Sequence, residues 1–361
     1  MPDSKTIIIA AGGTGGHLYP GIALARELKG RGYTPHFILR TDDSGIEIIK
    51  REGFAFHEIP AMGMPRAISL QLMQFFILQI KAMLRTALIF SQLHPDAVVG
   101  MGGYISFSSI VAARLMGIFT VVHEQNSIPG LANQVLSRLA NRVAVSFEHS
   151  VVHFPESKTV VAGNPVRPEL FNIDHEEALK RLNLKAGKFT VLIFGGSQGA
   201  AKINHVALEA YELLGDKKNV VQYLHITGQK DYERISGEFK KRNIAGVALP
   251  YLHSMGDAYA ACDLVICRAG ATTLAELKIL NKPAILIPFP FATANHQEYN
   301  ARTMAEGGKC GMIIEKNLDA HVLASAILKY VAGYDKGDCP LKLPDVFAQT
   351  ILADIVVKGK S

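Results

Sequence analysis

Apolar positions in this chain cluster into short, largely apolar runs, separated by longer stretches in which apolar residues recur at helical spacing. In the first half, 6–10, 36–39, 97–99, 119–122 and 143–145 read as strands, with helices at 18–31 and 128–140. In the second half the strands are 190–194, 220–226, 246–249, 264–267 and 283–287. Helices at 200–214, 255–261, 272–280 and 296–306 separate them, and 346–357 reads as one more. Strand and helix alternating in this way predict an α/β class of parallel sheets wound by helices on both faces. Ligands bind such sheets beyond the carboxyl ends of the strands.

Two of the strands run directly into glycine-rich turns, Gly12-Gly-Thr-Gly-Gly-His17 and Gly195-Gly-Ser-Gln-Gly-Ala200. A strand that turns through glycines into a helix presents bare N–H groups and a helix N-terminus, both attractive to phosphate. Two such turns opening two similar halves predict paired domains facing across a cleft, as expected for 361 residues. The boundary is placed in Gly163-Asn-Pro-Val-Arg-Pro168, giving domains 1–165 and 166–342. The helix within 343–361 is expected to pack back on the first domain.

Composition narrows the function classes. Hydrophobic residues make up 48% of the chain and charged ones 19%, enough for two buried cores. The net charge of +6 is spread evenly, with 14 basic and 11 acidic residues in 1–166 and 24 and 21 in the rest, so nucleic acid is not an expected partner. Cys262, Cys267, Cys310 and Cys339 form no Cys-x-x-Cys pair, which argues for a reduced, cytosolic compartment and no zinc site. The 67–93 stretch is rich in Leu, Met, Phe and Ile, but Lys81 and Arg85 are expected to interrupt it short of the roughly 20 residues of a membrane span.

The first glycine turn misplaces the third glycine of a dinucleotide fingerprint, and Leu39-Arg40-Thr41 stands where a ribose-binding acid belongs. Neither turn matches the nucleoside-triphosphate P-loop. A sharper signal is Cys267-Arg-Ala-Gly-Ala-Thr-Thr-Leu-Ala-Glu276, a strand end, a small-residue corner and a helix start. In one reading the amides of Ala271, Thr272 and Thr273 hold a diphosphate and Glu276 accepts hydrogen bonds from a ribose diol. In the other, Thr272 or Thr273 forms a capping box with a nearby Glu.

Five further stretches accompany these motifs: Gly102-Gly-Tyr-Ile-Ser106, His123-Glu-Gln-Asn-Ser-Ile-Pro-Gly130, Gly163-Asn-Pro-Val-Arg167, Ala294-Asn-His-Gln297 and Asn300-Ala301. In this order, from Thr6 to roughly Gly311, they resemble the MurG family. Those bacterial enzymes move N-acetylglucosamine from UDP-GlcNAc onto lipid I, giving lipid II for peptidoglycan. The resemblance implies the two-domain GT-B fold, with the donor mainly in the C-terminal domain and the acceptor mainly in the N-terminal one.

Carried over residue by residue, it implies that Ser197 and the Ala271, Thr272, Thr273, Leu274, Ala275 and Glu276 stretch bind the donor, Glu276 through the ribose. Leu252 falls at the uracil-contacting position, and Gln297 contacts the sugar hydroxyls. Thr14, Gly15, Gly16, Asn126 and Arg167 complete the donor set from the other side of the cleft. The residue after Gln297 is Glu298, where many relatives carry an amide or threonine. His17 and Asn126 are the catalytic candidates, and Thr14, His17 and Tyr104 face the acceptor. Histidine exchanges protons near neutral pH, and His17 would take one from the acceptor hydroxyl in a single inverting displacement. The helix start at Thr272, Ser197 and Arg167 would stabilise the leaving UDP.

No Asp-x-Asp motif occurs, so no obligatory metal or other cofactor is expected. A lipid-linked acceptor implies a peripheral enzyme at the cytoplasmic face of the cell membrane, touching anionic lipids, and Phe76, Ile77, Lys81 and Arg85 are the membrane-facing candidates. The competing reading makes most of 67–93 an ordinary core helix, and that reading is preferred for most of its residues. The rival functions are another GT-B enzyme, such as a UDP-GlcNAc 2-epimerase or natural-product glycosyltransferase, and a non-catalytic nucleotide-sugar-binding module.

Overall fold

The computed structural model describes residues 5–359 except 14, 64, 66–69, 197 and 334–343. Thr14, Ser197, Cys339 and the first residues of the 67–93 stretch therefore lie outside the described residues. The chain forms two compact units, Met1–Arg167 with Asp345–Ser361, and Pro168–Pro344.

The first unit runs β1 (Thr6–Ala10), α1 (Gly15–Gly30), β2 (Thr34–Arg40), α2 (Ile46–Arg51), β3 (Ala55–Ile59) and α3 (Leu70–Leu93). It continues with β4 (Ala97–Gly100), α4 (Gly103–Leu115), β5 (Phe119–Glu124), α5 (Leu131–Leu139), β6 (Arg142–Val145) and β7 (Thr159–Val161). All seven strands are parallel, in the order β3-β2-β1-β4-β5-β6-β7. The Ile-Ile-Ile run of β1 is buried on both faces, and Ile8 sits between His36 and Val98. Strand order reverses between β1 and β4, and chains leaving a sheet at such a point part to opposite faces and open a crevice. The edge strands β3 and β7 were not predicted: β3 carries His57 and Glu58, and β7 is three largely exposed residues.

Helix α3 corrects two expectations. Lys81 and Arg85 do not interrupt it, and its 24 unbroken residues extend about 36 Å. By length and composition it could cross a membrane. Nor is it mostly core: among its described apolar residues only Phe75, Ala82, Ile89 and Phe90 are buried. Ala82, Ile89 and Phe90 pack with Ile8, Ile38 and Ile110, while Met73, Phe76, Ile77, Ile80, Leu84 and Leu88 are exposed. Steps of three and four put these six on one side of the helix.

The second unit begins with α6 (His175–Arg181), β8 (Phe189–Phe194), α7 (Ala201–Glu212), β9 (Val221–Ile226), α8 (Tyr232–Lys241) and β10 (Gly246–Leu249). Then come α9 (Met255–Ala261), β11 (Leu264–Cys267), α10 (Ala271–Ile279), β12 (Ala284–Leu286), α11 (His296–Ala305), β13 (Cys310–Met312) and α12 (Ala320–Ala332). Its sheet is again parallel, in the order β10-β9-β8-β11-β12-β13, and reverses between β8 and β11. The last helix, α13 (Ala348–Lys358), belongs to the first unit, where Leu352, Ala353 and Val356 join the core of Ile7, Leu24 and Leu28.

Candidate functional site

In the first unit the motifs gather at the carboxyl ends of β1, β4 and β5, on either side of the strand reversal. The turn after β1 is held by an acid the sequence reading missed. Buried Asp43 accepts from Gly13 N–H at 2.7 Å and Gly45 N–H at 2.8 Å. A Cβ on Gly12 would lie 2.8 Å from Asp43 Oδ2, so a side chain there would push the carboxylate off the turn it holds. Gly15 and Gly16 open α1, and His17 follows in its first turn. His17 Nδ1 lies 3.3 Å from the Gly12 carbonyl, which accepts only when that nitrogen carries the proton; the lone pair then sits on Nε2. On the other side of the ring is Gly102, at φ +106°, where a Cβ would come within 3.0 Å of Nε2.

The segment after β5 is anchored by His123, Glu124 and Gln125, all buried. Gln125 Nε2 donates to Met101 O at 2.7 Å and to His123 Nδ1 at 3.0 Å, and His123 Nε2–H donates to Gly163 O at 2.9 Å. Burial pushes the His123 pKa down to about 4, so this imidazole is neutral and structural. Glu124 accepts from Asn126 N–H (2.9 Å), Asn126 Nδ2 (3.2 Å), Gly130 N–H (3.2 Å) and Asn133 Nδ2 (2.8 Å). Burial raises its carboxyl pKa against the downward pull of those donors. Asn126 is thereby fixed by backbone and side chain. Tyr104 opens α4, exposed, with its ring edge-on to Phe75 at 5.8 Å, and the Arg167 guanidinium lies 4.3 Å over the Tyr19 ring.

In the second unit the glycine turn after β8 is sterically forced. A Cβ on Gly195 would lie 2.4 Å from Ala200 N, and one on Gly199 2.1 Å from Thr227 O. Across the strand reversal, α10 starts after Gly270 with no side-chain cap, so the capping-box alternative is not what forms. The amides of Ala271, Thr272 and Thr273 precede the first intrahelical bond, Leu274 N–H to Gly270 O at 3.0 Å, and present the positive end of the helix dipole. Leu274 is buried, Ala275 half-buried, and Glu276 only 4% exposed. The Tyr259 hydroxyl donates to Glu276 Oε2 at 2.8 Å.

Gln297 opens α11, and its Oε1 accepts from Phe289 N–H at 3.0 Å, orienting the amide. Glu298 accepts from Asn295 Nδ2 at 2.7 Å and from Arg302. Arg268, inside the sharpest motif, braces the following loop: it donates to Ile287 O and Pro288 O at 3.2 Å, pairs with Glu315 and lies 5.4 Å from the Phe289 ring centre. Leu252 is half-buried in the turn after β10. Tyr259 had no sequence signal beyond its place on an apolar helix face.

The chain matches the glycosyltransferase family 28 N-terminal domain over residues 7–145 and the C-terminal domain of that family over 190–337. A Bacillus cereus protein named UDP-N-acetylglucosamine–N-acetylmuramyl-(pentapeptide) pyrophosphoryl-undecaprenol N-acetylglucosamine transferase 1 is 40% identical over 321 residues, 88% of each chain. The Bacillus subtilis transferase of that name is 39% identical over 329 residues, 90% of each. Among solved structures, MurG of Acinetobacter baumannii superposes with a TM-score of 0.71 at 26% identity, covering 99% of this chain and 94% of that one. A UDP-N-acetylglucosamine 2-epimerase structure from Listeria monocytogenes, described as putative, superposes with a TM-score of 0.67 at 12% identity, covering 97% and 95%, which shows a shared fold alone.

Proposed function

The chain belongs to the MurG family within glycosyltransferase family 28, and on that premise we propose how its residues transfer N-acetylglucosamine from UDP-GlcNAc to lipid I, forming lipid II. The second unit holds the donor. Its diphosphate sits on the amides of Ala271, Thr272 and Thr273, where the helix dipole favours negative charge, and Ser197 adds a hydroxyl. Glu276 accepts from the ribose diol, Leu252 meets the uracil, and Gln297 donates its amide to the sugar hydroxyls. Gly15, Gly16, Thr14, Asn126 and Arg167 are the first unit's contribution to the donor, and Tyr104 is its acceptor-side contact.

The chemistry is one inverting displacement. The C4 hydroxyl oxygen of the muramyl sugar attacks the anomeric carbon as the bond to the UDP oxygen breaks. The hydroxyl proton passes to His17 Nε2, and the electron pair of the broken bond stays on UDP. Arg167 and the amides at the start of α10 stabilise that charge without an obligatory metal. The orientation of His17 carries this reading, because the Gly12 carbonyl faces Nδ1 and selects the tautomer that is basic at Nε2.

His17→Ala is expected to lower kcat on a soluble lipid I analogue by about 100-fold or more, with the KM for UDP-GlcNAc nearly unchanged. A variant with wild-type kcat/KM removes His17 from the chemistry. In the same assay, excess chelator should leave the wild-type rate intact; loss restored by Mg²⁺ or Mn²⁺ overturns the metal-free mechanism.

The acceptor is lipid-linked, so the enzyme works as a peripheral protein at the cytoplasmic face of the membrane. The exposed stripe of α3, including Phe76 and Ile77, is the surface for it, and the exposed Lys81 and Arg85 supply the attraction to anionic headgroups in this reading.

A further inference from the structure

We propose that Tyr259 is a positioning residue for the donor: through Glu276 it sets the preference for a ribonucleotide sugar over its 2′-deoxyribo counterpart. This rests on Glu276 being the ribose acceptor. Three observations converge on Tyr259. Its ring is fully buried in α9, yet its hydroxyl reaches Glu276 Oε2 at 2.8 Å on α10. The ring also packs edge-on against Phe194, centroids 6.4 Å apart, and Phe194 is the last residue of β8 before the second glycine turn. Helix α9 is itself pinned, since a Cβ on Gly256 would lie 2.7 Å from Glu169 O. One side chain therefore ties the glycine turn to the helix that carries the ribose acid.

A buried phenol needs a partner for its O–H, and a buried carboxylate needs donors. Each meets the need of the other, and the bond selects one orientation of a glutamate side chain that otherwise has several rotamers. The carboxylate is then held in place before nucleotide arrives, so less ordering is left to binding. Without the hydroxyl, Glu276 remains but loses this donor, and more of its ordering falls to the binding energy of the ribose.

The experiment compares UDP-GlcNAc with its 2′-deoxyuridine analogue in the wild type, Tyr259→Phe, Glu276→Gln and the double variant, with a soluble lipid I analogue as acceptor. Tyr259→Phe keeps the ring against Phe194, and its thermal midpoint is measured alongside. The KM for UDP-GlcNAc should rise about tenfold with kcat and the acceptor KM within about twofold, and the ribo preference should fall by a similar factor. The double variant should match Glu276→Gln. If Glu276→Gln loses the preference while Tyr259→Phe keeps both preference and KM, Tyr259 has no positioning role and the ribose reading stands. Additive losses in the double variant overturn the proposal too. Should Glu276→Gln keep the preference, Glu276 is not the ribose acceptor and both readings fall.

Discussion

His123 stands beside the catalytic candidates, yet its environment removes it from proton chemistry. It donates from Nε2 to Gly163 O and accepts at Nδ1 from Gln125, so its tautomer is fixed. Its folded pKa of about 4 lies below the 6.5 of an unperturbed histidine, which sets the sign of its pH effect. Above pH 6.5 neither folded nor unfolded chain holds the proton, and the stabilisation is complete. Between 6.5 and about 4 the unfolded chain takes up a proton that the folded one refuses, so stability falls as pH falls, by on the order of 3 kcal/mol for this site. His123→Gln, which keeps a donor for Gly163, should flatten that part of the urea-denaturation profile of the first unit; an unchanged slope assigns the titration elsewhere. The motifs name the residues of the candidate site but not the partners that hold them. Asp43 binds a glycine 30 positions away and Tyr259 a glutamate 17 away, pairings set by strand order and rotamer rather than local spacing.

Among the elements, the interior strands were readable because burial on both faces makes them apolar throughout, as in β1, β8 and β11. The edge strands β3, β7 and β13 carry no such pattern: β3 includes His57 and Glu58, and β7 and β13 are three residues each. In contrast β10, also at an edge, keeps the apolar run Val247-Ala-Leu249 and was read. Helix α3 was misread for a related reason: it is apolar on more than one side, and apolarity alone cannot distinguish a buried face from one open to lipid. The structure separates the two faces. Leu84 and Leu88 are 61% and 64% exposed, while Ala82 and Phe90 are buried. Arg85 Nε donates to Glu58 O at 2.7 Å, so this arginine also fastens the helix to β3, whereas exposed Lys81 is the cleaner probe of charge. Leu84→Ser/Leu88→Ser and, separately, Lys81→Glu should each reduce flotation with anionic liposomes several-fold, leaving kcat on a soluble lipid I analogue unchanged. Equal flotation of all three proteins would show that α3 is not the membrane contact.

On the scale of the whole molecule, the chain leaves its first unit at Arg167, builds the second from Pro168 to Pro344, and returns for one helix. That helix completes a core. Leu352, Ala353 and Val356 are buried against α1, Arg31 pairs with Asp354 at 2.5 Å, and Gln349 Oε1 accepts from Val166 N–H at 3.4 Å. Burying Leu352 and Val356 alone stabilises by about 3–6 kcal/mol, comparable with the roughly 5–15 kcal/mol that holds a whole domain folded. Their removal also uncovers the apolar face of α1. The second unit has its own sheet and its own core around Ile193, Tyr223 and Ile266, none of which involves α13. A chain ending at Pro344 should therefore lose the calorimetric unfolding transition of the first unit and all transfer activity. Its second unit should still unfold cooperatively and bind UDP within about tenfold of the full chain, because the amides at the start of α10 and Glu276 with its Tyr259 partner all lie between Pro168 and Pro344. Loss of UDP binding along with the first transition would mean that the nucleotide site depends on the first unit, and an active truncated enzyme would mean that α13 is dispensable for its fold.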